Sequence, residues 1–150
     1  SPEFVVPHLK LFAVPSKTPD SIVKHLNLSF SLFFCSPDSA ANQVRVALEN
    51  TLTALKVKRF RIVGKKRKFV ALHQRIDLLP AKHESIKELF FAIKWLGNAG
   101  SHGSTAISRD DVLDSYEMLE LLLQEIYGKK ADSVRKLAKT INRKRGPKKK

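Results

Sequence analysis

Two helix-start signals constrain this chain more than any other feature. Thr18-Pro19-Asp20 and Ser36-Pro37-Asp38 each place a hydroxyl residue where it can cap a helix and a proline where the first helical residue belongs. Ile22, Leu26, Phe30 and Phe33 form one apolar stripe behind the first signal. Ala41, Val44, Leu48 and Leu55 form another behind the second, in a helix ending near Leu55. Ser108-Arg109-Asp110-Asp111 reads as a capping box, with Asp111 reaching back to the Ser108 amide. The stripe Val112, Tyr116, Leu119, Leu123 and Ile126 follows it, and Gly128 stands at the C-cap position. Between these, residues 72–79 read as a short helix closed by Pro80. Ile86, Leu89, Phe90, Ile93 and Leu96 mark a strongly apolar helix. Residues 131–145 are helical in pattern but basic, and end at Gly146-Pro147. The fold class is therefore all-α: a helical bundle of about five helices, with a basic insertion after the second helix and a basic C-terminal helix and tail.

At 150 residues the chain suits one domain. Ser1-Pro2-Glu3-Phe4 reads as a cloning-vector scar. Residues 5–17, with Pro7 and Pro15, read as an extended lead-in, 18–128 as the domain, and 129–150 as the basic helix and tail. An apolar fraction of 43% is enough for a real core. The longest apolar run, Leu28 to Cys35, contains two serines and is too short to span a membrane. No signal peptide is visible. Cys35 is the only cysteine, so no intramolecular disulfide forms, which fits a cytoplasmic location; after Phe33-Phe34 it reads as a core residue.

The net charge of +14 is unevenly placed. Lys56 to Lys68 holds eight Lys/Arg and no acid, and Lys129 to Lys150 holds eleven against one Asp, which leaves −4 for the rest. Such clusters attract polyanions, chiefly nucleic acid, through counterion release, although a solvated loop and a solubilising tail have the same composition. In the internal cluster Phe60 and Phe69 interleave with Lys58, Arg59, Arg61, Lys65, Lys66, Arg67 and Lys68, and could stack on bases. Arg59 to Val63 has some strand character, with Gly64 as a turn point, so this segment is a loop or a short hairpin. In the C-terminal cluster Arg143, Lys144 and Arg145 are candidates for the same contact.

The apolar helix runs into Gly97, Asn98, Gly100 and His102. Asn98 and His102 are spaced i, i+4, so they share a face if the helix continues. The histidine can move a proton near neutrality and the amide can hold a phosphate, so both are candidate catalytic residues. A buried, hydrogen-bonded corner uses the same residues. Lys94, one turn earlier, could neutralise a phosphate or simply be solvated. Arg45 and Glu49 lie i, i+4 on an apolar helix and are expected as a paired, partly buried element, with Glu49 a structural polar partner and Arg45 a cation for phosphate. Arg45, Glu49, Asn98 and His102 are expected to converge in one polar cluster. No ligand spacing supports a zinc site and no glycine-rich phosphate loop follows a strand, so neither metal nor cofactor is expected.

Residues 18–127 resemble the HEPN superfamily of small helical domains, closest to an uncharacterised bacterial branch. Arg45-Val46-Ala47-Leu48-Glu49, Gly97-Asn98-Ala99-Gly100-Ser101-His102 and the capped leucine-rich helix after Ser108 carry the resemblance. Many members are metal-independent ribonucleases with an Arg-Asn-x-x-x-His signature, working across a dimer interface. Here Asn98 and His102 fall on that Asn and His, while Gly97 falls on the arginine and offers no cation for developing charge. The resemblance implies a dimer-forming, nucleic-acid-binding domain of a larger bacterial protein, often in defence settings, with RNA preferred to DNA and weak or no ribonuclease activity. A structural dimerisation or docking module is one alternative. A ribonuclease in which Lys94 or Arg45 replaces the missing arginine is another.

Overall fold

The computed structural model describes the backbone of residues 10–102, 106–128 and 130–147, and the side chains of these residues except 98–102 and 130–132. α1 (Asp20–Leu32) starts one residue later than its spacing predicts. Thr18 is not the cap: Pro19 holds that position in an extended conformation with no side-chain cap. The Thr18 amide closes a turn on Pro15 O at 3.0 Å, which keeps Thr18 in the lead-in, and Pro19 stays extended at ψ 143°, so the helix opens at Asp20. α2 (Pro37–Ala54) begins as read, with Ser36 Oγ accepting from the Ser39 amide at 3.3 Å. The basic insertion is a hairpin of β1 (Phe60–Val63) and β2 (Lys66–Phe69). There follow α3 (Leu72–Asp77), a 3₁₀ turn at Ala81–His83, α4 (Glu84–His102), α5 (Arg109–Tyr127) and α6 (Lys130–Lys144). The fold is an all-α bundle with one small sheet; six helices are present among the described residues.

α2 lies at the centre, packed against α1, α3, α4 and α5. Ile22, Leu26, Leu48, Leu52, Phe90, Ile93, Leu119 and Leu123 meet in a fully buried core. Phe12, from the lead-in, is buried there too, 5.2 Å from the Phe30 ring, so the packed unit reaches N-terminal of Thr18. Tyr116 sits among Phe12, Phe30 and Phe33. Its hydroxyl is 2.7 Å from Ser29 Oγ, which itself donates to Ala40 O. Burial pushes the phenol pKa up and the Ser29 hydrogen bond partly offsets it.

The α1–α2 turn is stitched to the start of α5. Arg109 donates to Phe34 O, and the Ile107 amide donates to Asp38 Oδ1 at 3.3 Å. Cys35 lies on this turn and is exposed, which corrects the core reading. α1 has already ended at Leu32, so the helical period no longer carries Cys35 inward; Phe33 takes the buried place.

The capping box of α5 forms as expected. The Ser108 amide donates to Asp111 Oδ2 at 3.0 Å, and the Asp111 amide donates to Ser108 Oγ at 3.1 Å. These bonds hold the Asp111 carboxyl below its usual pKa, the Ser108 backbone bond contributing most. The cap is therefore fully present above the ordinary aspartate pKa and is lost as pH falls through the lowered folded value. The stability gap between wild type and Asp111→Ala should be constant at neutral pH and close in acid. Melting temperatures of both proteins across the acid range check this; a gap that persists below the folded pKa would remove the carboxylate from the account.

Gly128 is at the C-cap as read, with φ −82° rather than a left-handed conformation. Its glycine answers to close approach: a Cβ there would stand 2.5 Å from Gln124 O. Past it, no other element packs against α6 among the described residues.

Candidate nucleic-acid interface

The hairpin is positioned by the end of α2. Leu55 caps the helix, Lys56 turns left-handed at φ 66°, and the Val57 amide returns to Leu52 O at 3.0 Å while the Lys56 amide returns to Thr53 O at 3.0 Å. This is a Schellman motif with lysine in the place glycine usually takes, at a cost of about 1 kcal/mol. Leu52 and Val57, both buried, supply its apolar contact.

Arg75 of α3 fixes the departing chain. Its side chain is 5% exposed. Nε donates to Lys58 O at 3.2 Å, Nη1 to Glu49 O at 3.2 Å, and Nη2 to Val57 O at 3.0 Å and Thr53 Oγ1 at 2.9 Å. One guanidinium thus joins the last turn of α2 to the root of β1. Burial lowers its pKa, Glu49 raises it and Arg59 lowers it. Sequence reasoning passed over Arg75. The available signal was its place among Leu72, Ile76 and Leu79, all buried, on the inner side of a short helix.

The strands pair Phe60 with Phe69, Arg61 with Lys68, Ile62 with Arg67 and Val63 with Lys66. Gly64, at φ 65°, occupies the first place of a two-residue loop, where positive φ matches strand twist. Alternation then sorts the side chains onto two faces. One carries Phe60, Ile62, Arg67 and Phe69. The Phe60 and Phe69 rings are 4.7 Å apart, and the Arg67 guanidinium lies 3.7 Å from the Phe60 centroid. Phe60 is therefore covered by its own hairpin, while Phe69 is 74% exposed and Ile62 is 79% exposed. The other face carries Arg61, Val63, Lys66 and Lys68. Arg61 and Lys68 stand directly opposite each other, a like-charge pairing that destabilises a bare sheet. Among the described residues no ion pair to a carboxylate is formed by Lys58, Arg59, Arg61, Lys65, Lys66, Arg67 or Lys68.

Between α2 and the hairpin root lies a cleft of about 460 Å³, walled by Arg45, Glu49, Asn50, Arg59 and Phe69, with His25 and Arg75 also lining it. Arg45 and Glu49 are paired and partly buried as expected, Nε to Oε1 at 3.6 Å. His25 Nδ1 is 2.9 Å from Gln43 Oε1.

Lys94 is not solvated. Its side chain is buried, with Nζ 3.2 Å from His73 Nδ1 and 3.8 Å from the centroid of Trp95, itself 59% exposed. α4 does continue through His102, so Asn98 and His102 lie i, i+4 on one helix. Gly97 abuts α2 at Arg45, where an added Cβ would be 3.6 Å from Arg45 Cβ. The side chains of Asn98 and His102, and with them the expected four-residue cluster, lie outside the described residues. Arg143, Lys144 and Arg145 are exposed at the end of α6. Among the described residues no three His, Cys, Asp or Glu side chains gather as a metal site needs, and no helix is long and apolar enough to cross a membrane.

No curated protein and no solved structure matches the chain closely enough to count as a relative. The profile of a domain of unknown function, DUF4145, matches residues 27–144, a span that includes α2, the hairpin and all of α6. On that match, which covers most of its length, the chain belongs to the DUF4145 family.

Proposed function

We propose that this domain binds nucleic acid, RNA in preference to DNA, through its basic hairpin, as a HEPN-like module of a larger cytoplasmic bacterial protein. The single observation that carries the reading is the Arg61–Lys68 pair. A cross-strand pair of like charge costs stability in the free protein, and neither cation has a carboxylate partner among the described residues. A polyanion laid along that face turns the repulsion into attraction. Gly97 stands where the resemblance would place a catalytic arginine, so weak or no strand cleavage accompanies binding.

The test is affinity for single-stranded RNA against salt. If about four phosphates are neutralised, the slope of log affinity on log salt is near −3, or roughly 50-fold between about 50 and about 200 mM. Truncation after Gly128 should shrink the slope without abolishing binding. A flat salt dependence, or no binding at low salt, would overturn the reading.

A second reading, a self-association or docking module, is favoured by α5 and α6. Leu113 and Leu121 are exposed on α5 beside Asp114 and Glu117, while Val134, Leu137 and Ile141 form an exposed stripe on α6 beside Lys136 and Lys139. Apolar stripes of opposite charge complement each other between copies. On α4, Phe90 is fully buried in the core, so of the apolar run there Trp95 is what stays exposed for a partner. Light scattering at tens of micromolar, on the full chain and after truncation at Gly128, separates monomer from dimer.

A further inference from the structure

The cleft between α2 and the hairpin root has a composition that a solvated crevice does not need. Arg45, Arg59 and Arg75 bring three positive charges to it against the single carboxylate of Glu49. Arg75 has its donors committed to protein oxygens, but its charge remains. Glu49 is engaged by Arg45, which leaves Arg59 and the unspent donors of Arg45 facing the space. Arg59 is exposed and Arg45 partly buried, so both can reach a ligand from the cleft wall. An excess of guanidinium over carboxylate in a concave site favours an anion, and a phosphate suits the planar fork of arginine.

The rim adds a second kind of recognition. Phe69 has one ring face against Phe60 and is otherwise open to solvent, so a base can stack on it. Asn50, on the α2 wall, offers both a donor and an acceptor for a base edge. The volume of about 460 Å³ falls within the range of small-ligand sites and holds one nucleotide, not a stacked pair of strands. His25, held by Gln43, keeps the α1 side of the cleft in place.

We propose that this cleft is a subsite for one unstacked nucleotide of a single strand, its phosphate on Arg45 and Arg59 and its base on Phe69. The subsite rests on the nucleic-acid-binding reading and sharpens it. The hairpin gathers any polyanion, and the cleft selects strands that can turn a base out. A duplex keeps its bases stacked and gains nothing from the cleft.

The experiment uses the full chain with a labelled oligouridine of about twelve nucleotides and a duplex RNA of equal length. Arg59→Ala and Phe69→Ala should each weaken single-strand binding about tenfold and leave duplex binding within about twofold. Arg45→Met should do the same. Arg45→Lys, which keeps the aliphatic stem beside Gly97, guards against a packing effect, and circular dichroism checks the fold of every variant. Uridine monophosphate should compete with the labelled strand on wild type, and lose that ability on Arg59→Ala. Equal weakening of strand and duplex would reduce the cleft to part of a general field and overturn the proposal. Unchanged single-strand affinity in these variants, beside lost affinity on charge reversal at the hairpin, would also overturn it while leaving the binding reading intact. Failure of wild type to bind either RNA would remove both.

Discussion

Replacing Arg75 with methionine is expected to destabilise the domain by about 3 kcal/mol, because four hydrogen bonds vanish, one buried and three partly buried, and three backbone carbonyls and the Thr53 hydroxyl lose a charged donor. For a chain of this size that is roughly a 10 °C fall in melting temperature. The acceptors belong to two elements, the last turn of α2 and the chain that becomes β1. Their release should therefore loosen the hairpin root as well as lower global stability. Lysine at the same place keeps the charge but has no fork to span three carbonyls, so Arg75→Lys should recover only a small part of the loss. Thermal melts of the three proteins, read together with amide exchange at Val57 and Val70, check both halves. A melting temperature within about 2 °C of wild type for Arg75→Met would show that water satisfies these carbonyls as well as the guanidinium does.

Charge reversal at both positions of the cross-strand pair, Arg61→Glu with Lys68→Glu, is expected to lower affinity for single-stranded RNA by roughly 100-fold at about 0.1 M salt, since two phosphate contacts become repulsions. The single change Lys68→Glu is more telling. It converts a like-charge pair into an attractive one, so it should stabilise the free hairpin by about 0.2–1 kcal/mol while weakening RNA binding. Opposite signs for stability and binding from one substitution are what a site held against its own folding preference produces. Equal signs, or no effect on binding, would make the basic hairpin a solvated loop after all.

Local rules made much of this fold legible. The caps at Ser36 and Ser108 depend on neighbouring residues only, and both form as read. The turn at Gly64 was visible because a positive φ is nearly reserved for glycine. The hydroxyl-Pro-Asp signal that held at Ser36 misled at Thr18, whose amide closes a turn on Pro15 O and whose neighbour Pro19 stays extended, so the helix starts at Asp20. What the sequence hid was decided by tertiary contact. Lys94 looks like an exposed cation, yet it follows the fully buried Phe90 and Ile93 and is drawn down beside His73. Such a stem can lie along apolar surface while its ammonium finds a ring, and no periodicity announces it. Arg75 was hidden for the same reason, since its partners come from residues 49–58. The hairpin cations were legible by composition, but their division into a stacking face and a charged face needed the register.

The left-handed Lys56, the Schellman turn and the Arg75 clamp have a consequence for rates. Together with the Val70 amide bonded to Arg59 O at 2.8 Å, they order the hairpin before any partner arrives. A partner therefore meets a finished surface, and no folding step stands between encounter and docking. Association should then be governed by diffusion and by the field of the cations, accelerating as salt is lowered, with the temperature dependence of solvent viscosity and little more. On the proposed nucleic-acid reading, any selectivity then resides in how long each complex lasts.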